Sequence, residues 1–198
     1  MSDLSARDAL AHAAGELRRR GKRFALVGAL AVSVRGEVRT TRDVDIAVVI
    51  SDDAELEELA ASLRPAGYRV IATVEQESLG RLGTLRLASP TGIVVDLLAA
   101  SCGIEWEIVE AATSVDFKGV GMIPVANAED LLAMKLLSAR PGRERDWNDA
   151  RGLVQINAAL DFGFVRDRLR LMTARGYARK QDLLAKLDKL LGEIEAAP

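Results

Sequence analysis

The spacing of apolar residues changes character near residue 126 of the chain. Upstream, short β-branched runs alternate with amphipathic stretches. Leu4, Leu10 and Leu17 recur among alanines and charges over residues 3–20, which predicts an amphipathic helix that stops near Gly21. "FALV", residues 24–27, reads as a short buried strand. "ALAVSVR" then predicts a brief apolar helix ended by Gly36, and "DVDIAVVI", residues 43–50, a strand. "SDDAELEELAASLRPAG" opens on capping residues and closes on Pro65 and Gly67, the signature of a surface helix. "YRVIATVE", "GTLRLAS" and "GIVVDLLAA" predict three strands separated by turn residues. A helix around Trp106 and a short strand at Met122 to Val125 follow.

From Asn127 onward the strand signal stops. "AEDLLAMKLLSAR", "RERDWNDARGLVQIN", "FVRDRLRLMTA" and "RKQDLLAKLDKLLGEIEA" all carry the helical period. The pattern predicts an α/β core with an N-terminal helix over residues 1–126 and a helical domain over 127–198. In the last helix, Leu183, Leu184, Leu187, Leu190, Leu191 and Ile194 form a stripe that suits packing within the chain and would equally suit a partner helix.

Composition narrows the function classes. With 198 residues, 49% of them hydrophobic, the chain can bury one substantial core. A net charge of −2 argues against a surface built throughout to coat nucleic acid. One cysteine and one histidine make neither an internal disulfide nor a Cys/His zinc site. The N-terminal stretch lacks the apolar segment of a signal peptide, and no run approaches the roughly 20 apolar residues of a membrane span. A cytoplasmic protein without a membrane partner is expected. Residues 140–180 carry ten Arg and Lys against five acids, an excess that permits an RNA surface.

The candidate chemistry lies in carboxylates set within apolar strands. Asp43 and Asp45 are two apart in a predicted strand, so they share a face about 7 Å apart, with Val44, Ile46 and Val48 on the other. Asp96 sits in "IVVDLL", where an unpaired charge is costly. Arg86 or Arg81 on a neighbouring strand could pair with it. If its strand instead lies beside "DVD", three carboxylates converge and call for a cation with oxygen ligands, most simply Mg²⁺. Upstream, Gly28 closes a strand and opens a helix, a position where backbone N–H groups favour phosphate.

These residues carry a resemblance. "VGA" at Val27 to Ala29 with "DVD" at Asp43 to Asp45 resembles the nucleotidyltransferase superfamily that includes DNA polymerase β. "RTTRDVD" looks like the Arg-x-Thr-x-Asp-x-Asp form of its AbiEii/AbiGii toxin-type branch. "IPVANAEDLLAMKLLSARPGRERDWNDARGL" is similar to that branch's lysine-bearing helix followed by an Arg/Lys-Asp-x-x-Asp stretch, here Lys135, Arg145, Asp146 and Asp149. The likeness covers residues 24 to 153. It implies a mixed β-sheet core with flanking helices followed by helices, and a pyrophosphate-releasing transfer of a nucleotidyl group from an NTP such as ATP to an acceptor hydroxyl. Asp43, Asp45 and Asp96 would hold two Mg²⁺ ions. Gly28, Ala29, Arg39, Thr41 and Lys135 would bind nucleotide, and Asp146 would join the catalytic set. Ala29 departs from the family's usual Gly or Ser and loses a side-chain donor. An RNA or tRNA acceptor and an antitoxin partner are implied. A small-molecule antibiotic acceptor, or a nucleotide-binding module without turnover, are the alternatives.

On their own, the helical residues also admit simpler roles. Lys135 could lie along the edge of a packed helix, and Arg145 and Asp149 are spaced to pair locally. Trp147 and Cys102 suit core packing, and His12 suits a structural place on the first helix.

Overall fold

The computed structural model describes residues 2–36, 41–76 and 79–196, with side chains from residue 6 onward. Helix α1 (Ser2–Arg19) precedes β1 (Phe24–Val27), α2 (Gly28–Arg35), β2 (Asp43–Val48) and α3 (Asp53–Leu63). Next come β3 (Arg69–Gln76), β4 (Arg81–Ala88), β5 (Val94–Leu98), α4 (Glu105–Ala111), β6 (Thr113–Phe117) and β7 (Gly121–Val125). Helices α5 (Ala128–Ser138), α6 (Glu144–Ile156), α7 (Phe162–Ala174) and α8 (Leu183–Glu195) complete the described chain.

Local chemistry explains most of the boundaries. The side chains of Asp52, Asn127, Asp161 and Asp182 each accept a backbone N–H in the first turn of α3, α5, α7 and α8, satisfying donors that a helix start leaves open. A 3₁₀ turn, Arg64–Ala66, extends α3 and ends at left-handed Gly67.

The seven strands form one mixed sheet in the order β3-β4-β5-β2-β1-β7-β6. β2 runs parallel to β5, and β1 parallel to β7, while the remaining neighbours are antiparallel. The central strands are buried: Val44, Ile46, Ala47 and Val48 of β2 are fully enclosed, as is β1 apart from the slightly exposed Phe24. One apolar cluster runs from Ala6 of α1 through these strands to Leu131, Leu153, Leu169 and Leu190 of the later helices. The leucine stripe of α8 is spent inside the molecule, with Leu183, Leu187 and Leu190 buried.

The α/β class, the mixed sheet and the helical C-terminal part agree with the sequence pattern. One strand is additional. β6, "TSVDF", pairs only with β7 at the sheet edge and leaves Thr113, Ser114 and Asp116 exposed, so it carries no burial-driven alternation to read. β3 forms the other edge and is exposed along almost its whole length.

Candidate active site

The sheet and α5–α6 enclose a cleft of about 1480 Å³. Its floor begins where β1 hands over to α2. Gly28 has a φ of 64°, in the left-handed region that side chains disfavour, and the following turn passes directly beneath Asp45. A Cβ on residue 28 would lie 1.9 Å from Asp45 Oδ2. Glycine is therefore required here by two independent constraints, its dihedral and its neighbour. The N–H of Ala29 hydrogen-bonds the same carboxylate, so the turn that was expected to face phosphate also supports an acid.

Asp45 of β2 stands opposite Asp96 of β5 in the parallel pairing, and Asp43 shares its face two residues away. Their immediate surroundings differ. Asp43 Oδ1 accepts the Thr41 hydroxyl at 2.8 Å, which fixes its rotamer. Asp96 is buried and accepts a bidentate pair from Arg86, Nε to Oδ1 at 2.8 Å and the terminal nitrogen to Oδ2 at 2.6 Å. Arg86 lies opposite Asp96 in the β4–β5 register, and Asp96 holds its guanidinium above the ordinary value. Arg81 is occupied elsewhere, on Asp53.

Among the described residues Asp45 has no such arginine. Burial, with repulsion from Asp43 and then Asp96, pushes its carboxyl up to about 7, against the opposing pull of Lys135 and the Ala29 N–H. Three carboxylates thus share one field, while one of them is matched by a cation of its own.

Lys135 of α5 enters the cleft from the helical side. Its ammonium lies 2.8 Å from Asp146 Oδ1 and 2.8 Å from Asp149 Oδ2, both on α6. All three side chains are at most 16% exposed, so this is a buried ion triad that joins α5 to α6. Arg145, at the exposed start of α6, lines the cleft, and Arg143 approaches Asp146 at 3.6 Å. Arg39 lies outside the described residues.

Of the residues expected at a site, Gly28, Ala29, Thr41, Asp43, Asp45, Asp96, Lys135 and Asp146 all line this one cleft. Two of them are arranged differently from the sequence expectation. Thr41 turns its hydroxyl to Asp43, and Lys135 is bound by two acids. Arg86 was visible only as one of two possible partners of Asp96, because register alone decides which arginine faces it. Arg140, Arg179 and Lys180 also line the cleft; they belong to the basic excess of residues 140–180, which does not by itself say which of its members share a face. The remaining singled-out residues are structural: His12 Nδ1 meets the Tyr68 hydroxyl at 3.0 Å, Cys102 is buried, and the Trp147 indole donates to Glu193.

Comparison with known proteins places this geometry. The family model described as "Nucleotidyl transferase AbiEii toxin, Type IV TA system" matches residues 14–197, extending through the last two helices. No curated protein matches the chain by sequence. Among solved structures, the antibiotic-resistance factor ANT(2'')-Ia in solution superposes with a TM-score of 0.59 at 14% identity, covering 91% of this chain and 97% of that one. A nucleotidyltransferase-like antigenic protein from Paracoccidioides brasiliensis gives 0.55 at 18% identity, covering 95% and 94%. The crystal structure of ANT(2'')-Ia in complex with adenylyl-2''-tobramycin gives 0.54 at 15% identity, covering 81% and 92%. At such identities the structural likeness is one of fold.

Proposed function

The chain belongs to the AbiEii nucleotidyl transferase toxin family, and from that premise we propose that this nucleotidyltransferase transfers a nucleotidyl group from an NTP to an RNA hydroxyl, as the toxin of a toxin–antitoxin pair. The observation that carries the reading is the set of Asp43, Asp45 and Asp96 on two adjacent parallel strands, at the edge of a glycine turn and inside one cleft.

Mg²⁺ belongs to this proposal, and its fit can be judged from the donors. All are carboxylate oxygens, the chemistry a hard cation selects. The raised proton affinity of Asp45 reflects negative charge that a dication would relieve. Among the described residues no group of three acids, histidines or cysteines is already set as a metal cage. Asp43 and Asp45 are the pair that would hold an ion, and Asp96 would join only by sharing its oxygens with, or releasing, Arg86. A bound Mg²⁺ supplies Lewis-acid stabilisation of phosphoryl oxygens.

The protein's own residues have separable tasks in this scheme. Thr41 fixes Asp43, and the turn at Gly28 and Ala29 fixes Asp45. Asp96 is placed to accept the proton of the attacking hydroxyl, and Arg86 fixes its orientation through the bidentate pair. Lys135 supplies positive charge beside Asp45 against the charge that develops on departing pyrophosphate. Asp146 positions Lys135.

A division into an α/β unit, 1–126, and a helical unit, 127–198, is part of the same reading and is supported by the change of element class at Ala126. So are a cytoplasmic site of action and an antitoxin partner, on family membership. No helix among the described residues is long and apolar enough to cross a membrane. The second reading, transfer to a small antibiotic, is favoured by the tobramycin adduct in the ANT(2'')-Ia complex.

The test is incubation of the protein with each labelled NTP, Mg²⁺ and total RNA, following label into RNA and release of pyrophosphate. RNA labelling that requires Mg²⁺ and is abolished by Asp45→Asn is the expected result. Label appearing only on an added aminoglycoside would overturn the RNA assignment. Nucleotide binding with no transfer to any acceptor would leave a binding module.

A further inference from the structure

The cleft has a second face, opposite in charge to the acid floor. Arg140 follows α5, Arg143 precedes α6, and Arg179 and Lys180 lie between α7 and α8; all four line the cleft with Asp43, Asp45 and Asp96. The guanidiniums of Arg140 and Arg143 are close enough to that of Arg179 to oppose its charge. Burial, followed by repulsion from Arg140 and then Arg143, lowers the proton affinity of Arg179. Of the acids near this wall, Asp146 stands 3.6 Å from Arg143 and is bound to Lys135, and two others are engaged elsewhere. Glu105 accepts the N–H groups of Ser101, Cys102 and Gly103, and Glu107 is bound by Arg175. Arg140 and Lys180 have no acidic partner among the described residues.

The backbone holds this wall at a cost. Arg179 and Lys180, with φ of 54° and 61°, are the two non-glycine residues in the left-handed region among those described. Such a conformation is disfavoured for any residue with a Cβ, and long basic side chains gain nothing from it. It persists because the segment is anchored on both sides. Tyr177 fills the space beside Gly103, where a Cβ would lie 2.3 Å from its ring. Arg179 donates to Ser101 O at 3.0 Å, and Gln181 donates to Leu137 O at 3.1 Å. Four cations along one side of a cleft, two of them held in left-handed backbone and one opposed by its neighbours, suit an anionic ligand.

Position separates two sources of that anion. Gly28 and Ala29 lie beside Asp45, whereas Arg179 is tied to Ser101, beyond the far end of β5 and past Asp96. The Arg179–Lys180 end of the wall therefore lies on the side of Asp96, away from the glycine turn, with Arg143 reaching back toward Asp146. We propose that Arg140, Arg143, Arg179 and Lys180 seat the phosphodiester backbone of the acceptor strand, directing its terminal hydroxyl toward Asp96. This rests on the RNA reading above and adds the residues that would select a polyanionic acceptor and repel a polycationic aminoglycoside.

The experiment measures binding of a short fluorescent RNA oligonucleotide with a free 3′ hydroxyl across a salt series, beside calorimetric binding of Mg–ATP. Variants are Arg140→Gln, Lys180→Asn and their combination; asparagine tolerates the left-handed backbone, and neither side chain has a structural partner to lose. Each lost contact should reduce the slope of log affinity against log salt by about 0.7, so a fourfold rise in salt costs the variant about threefold less affinity than the parent. Mg–ATP affinity should be unchanged, and Arg140→Lys should restore the slope. Unchanged RNA affinity and slope, in a protein that still labels RNA, would overturn the wall and leave the RNA reading standing. Weakened Mg–ATP binding with RNA binding intact would overturn it in favour of a triphosphate grip. Absence of RNA binding by the parent would remove both.

Discussion

Gly28 and Asp45 compete for the same few cubic ångströms: a methyl on residue 28 would stand 1.9 Å from the Asp45 carboxylate oxygen. The turn that opens α2 and the acid at the centre of the cleft are thus one structural unit. Their geometry makes the first prediction double-edged.

Gly28→Ala should destabilise the protein by about 2–4 kcal/mol, through the left-handed φ and the displaced carboxylate together. In the double variant with Asp45→Ala, the share due to the carboxylate should be recovered, while the dihedral cost of about 1–2 kcal/mol and the contact with the Cβ of residue 45, 2.6 Å from the added methyl, should remain. Denaturant unfolding of the two single variants and the double variant measures the coupling. Full additivity would mean that the turn moves freely away from Asp45.

The raised proton affinity of Asp45 sets a pH dependence. A carboxyl whose folded pKa exceeds its unfolded value binds its proton more tightly in the fold, so its stabilising contribution is complete below the ordinary value of 3.8 and is lost as pH rises from there through about 7. Metal-free protein should therefore lose Tm as pH rises from about 4 to 7, and Asp45→Asn should remove that loss. Thermal melts in chelator check this. An Asp45→Asn profile parallel to the parent's would place the titration elsewhere.

Mg²⁺ should stabilise the protein more at pH 8 than at pH 6, because at the lower pH the ion must displace a proton from Asp45. The reading is the Tm gain on adding Mg²⁺ at each pH. A gain independent of pH, or one that persists in an Asp43→Asn/Asp45→Asn variant, would move the ion to another site.

Lys135→Met isolates charge from packing, since methionine keeps the apolar stem. Removing the ammonium leaves Asp146 and Asp149 buried beside each other, a loss of about 3–5 kcal/mol. Adding Asp146→Asn and Asp149→Asn should return most of that stability while transfer stays depressed. Single-turnover transfer and denaturant unfolding on the same two proteins separate the effects. Recovery of transfer along with stability would make Lys135 a structural residue only.

Arg86→Gln leaves Asp96 buried without its bidentate partner. Because the Arg86 side chain is itself 46% exposed and water can reach its place, a loss of about 1–3 kcal/mol is expected, with Mg²⁺ relieving part of it as Asp96 becomes free to join Asp43 and Asp45. Melting with and without Mg²⁺ reads both effects. A variant as stable as the parent and indifferent to Mg²⁺ would show that the pair adds nothing.

Much of this arrangement was legible in the sequence, and the parts that were not have a common cause. The period-two and period-3.6 patterns determined the α/β character, most strands and every helix after Asn127, because burial of one face imposes its period on the residues that supply it. "DVD" determined that Asp43 and Asp45 share a face, and "IVVDLL" that Asp96 is buried and needs compensation. β6 escaped because an exposed edge strand buries no regular face. Tertiary structure alone decided that Asp96 stands beside Asp45 and across from Arg86 rather than Arg81, since register between strands is set by the whole sheet. It alone turned Lys135 onto two acids of the next helix. It alone brought Arg140, Arg143, Arg179 and Lys180 to one wall, because charges on separate connections meet only where the core beneath fixes how the flanking helices pack.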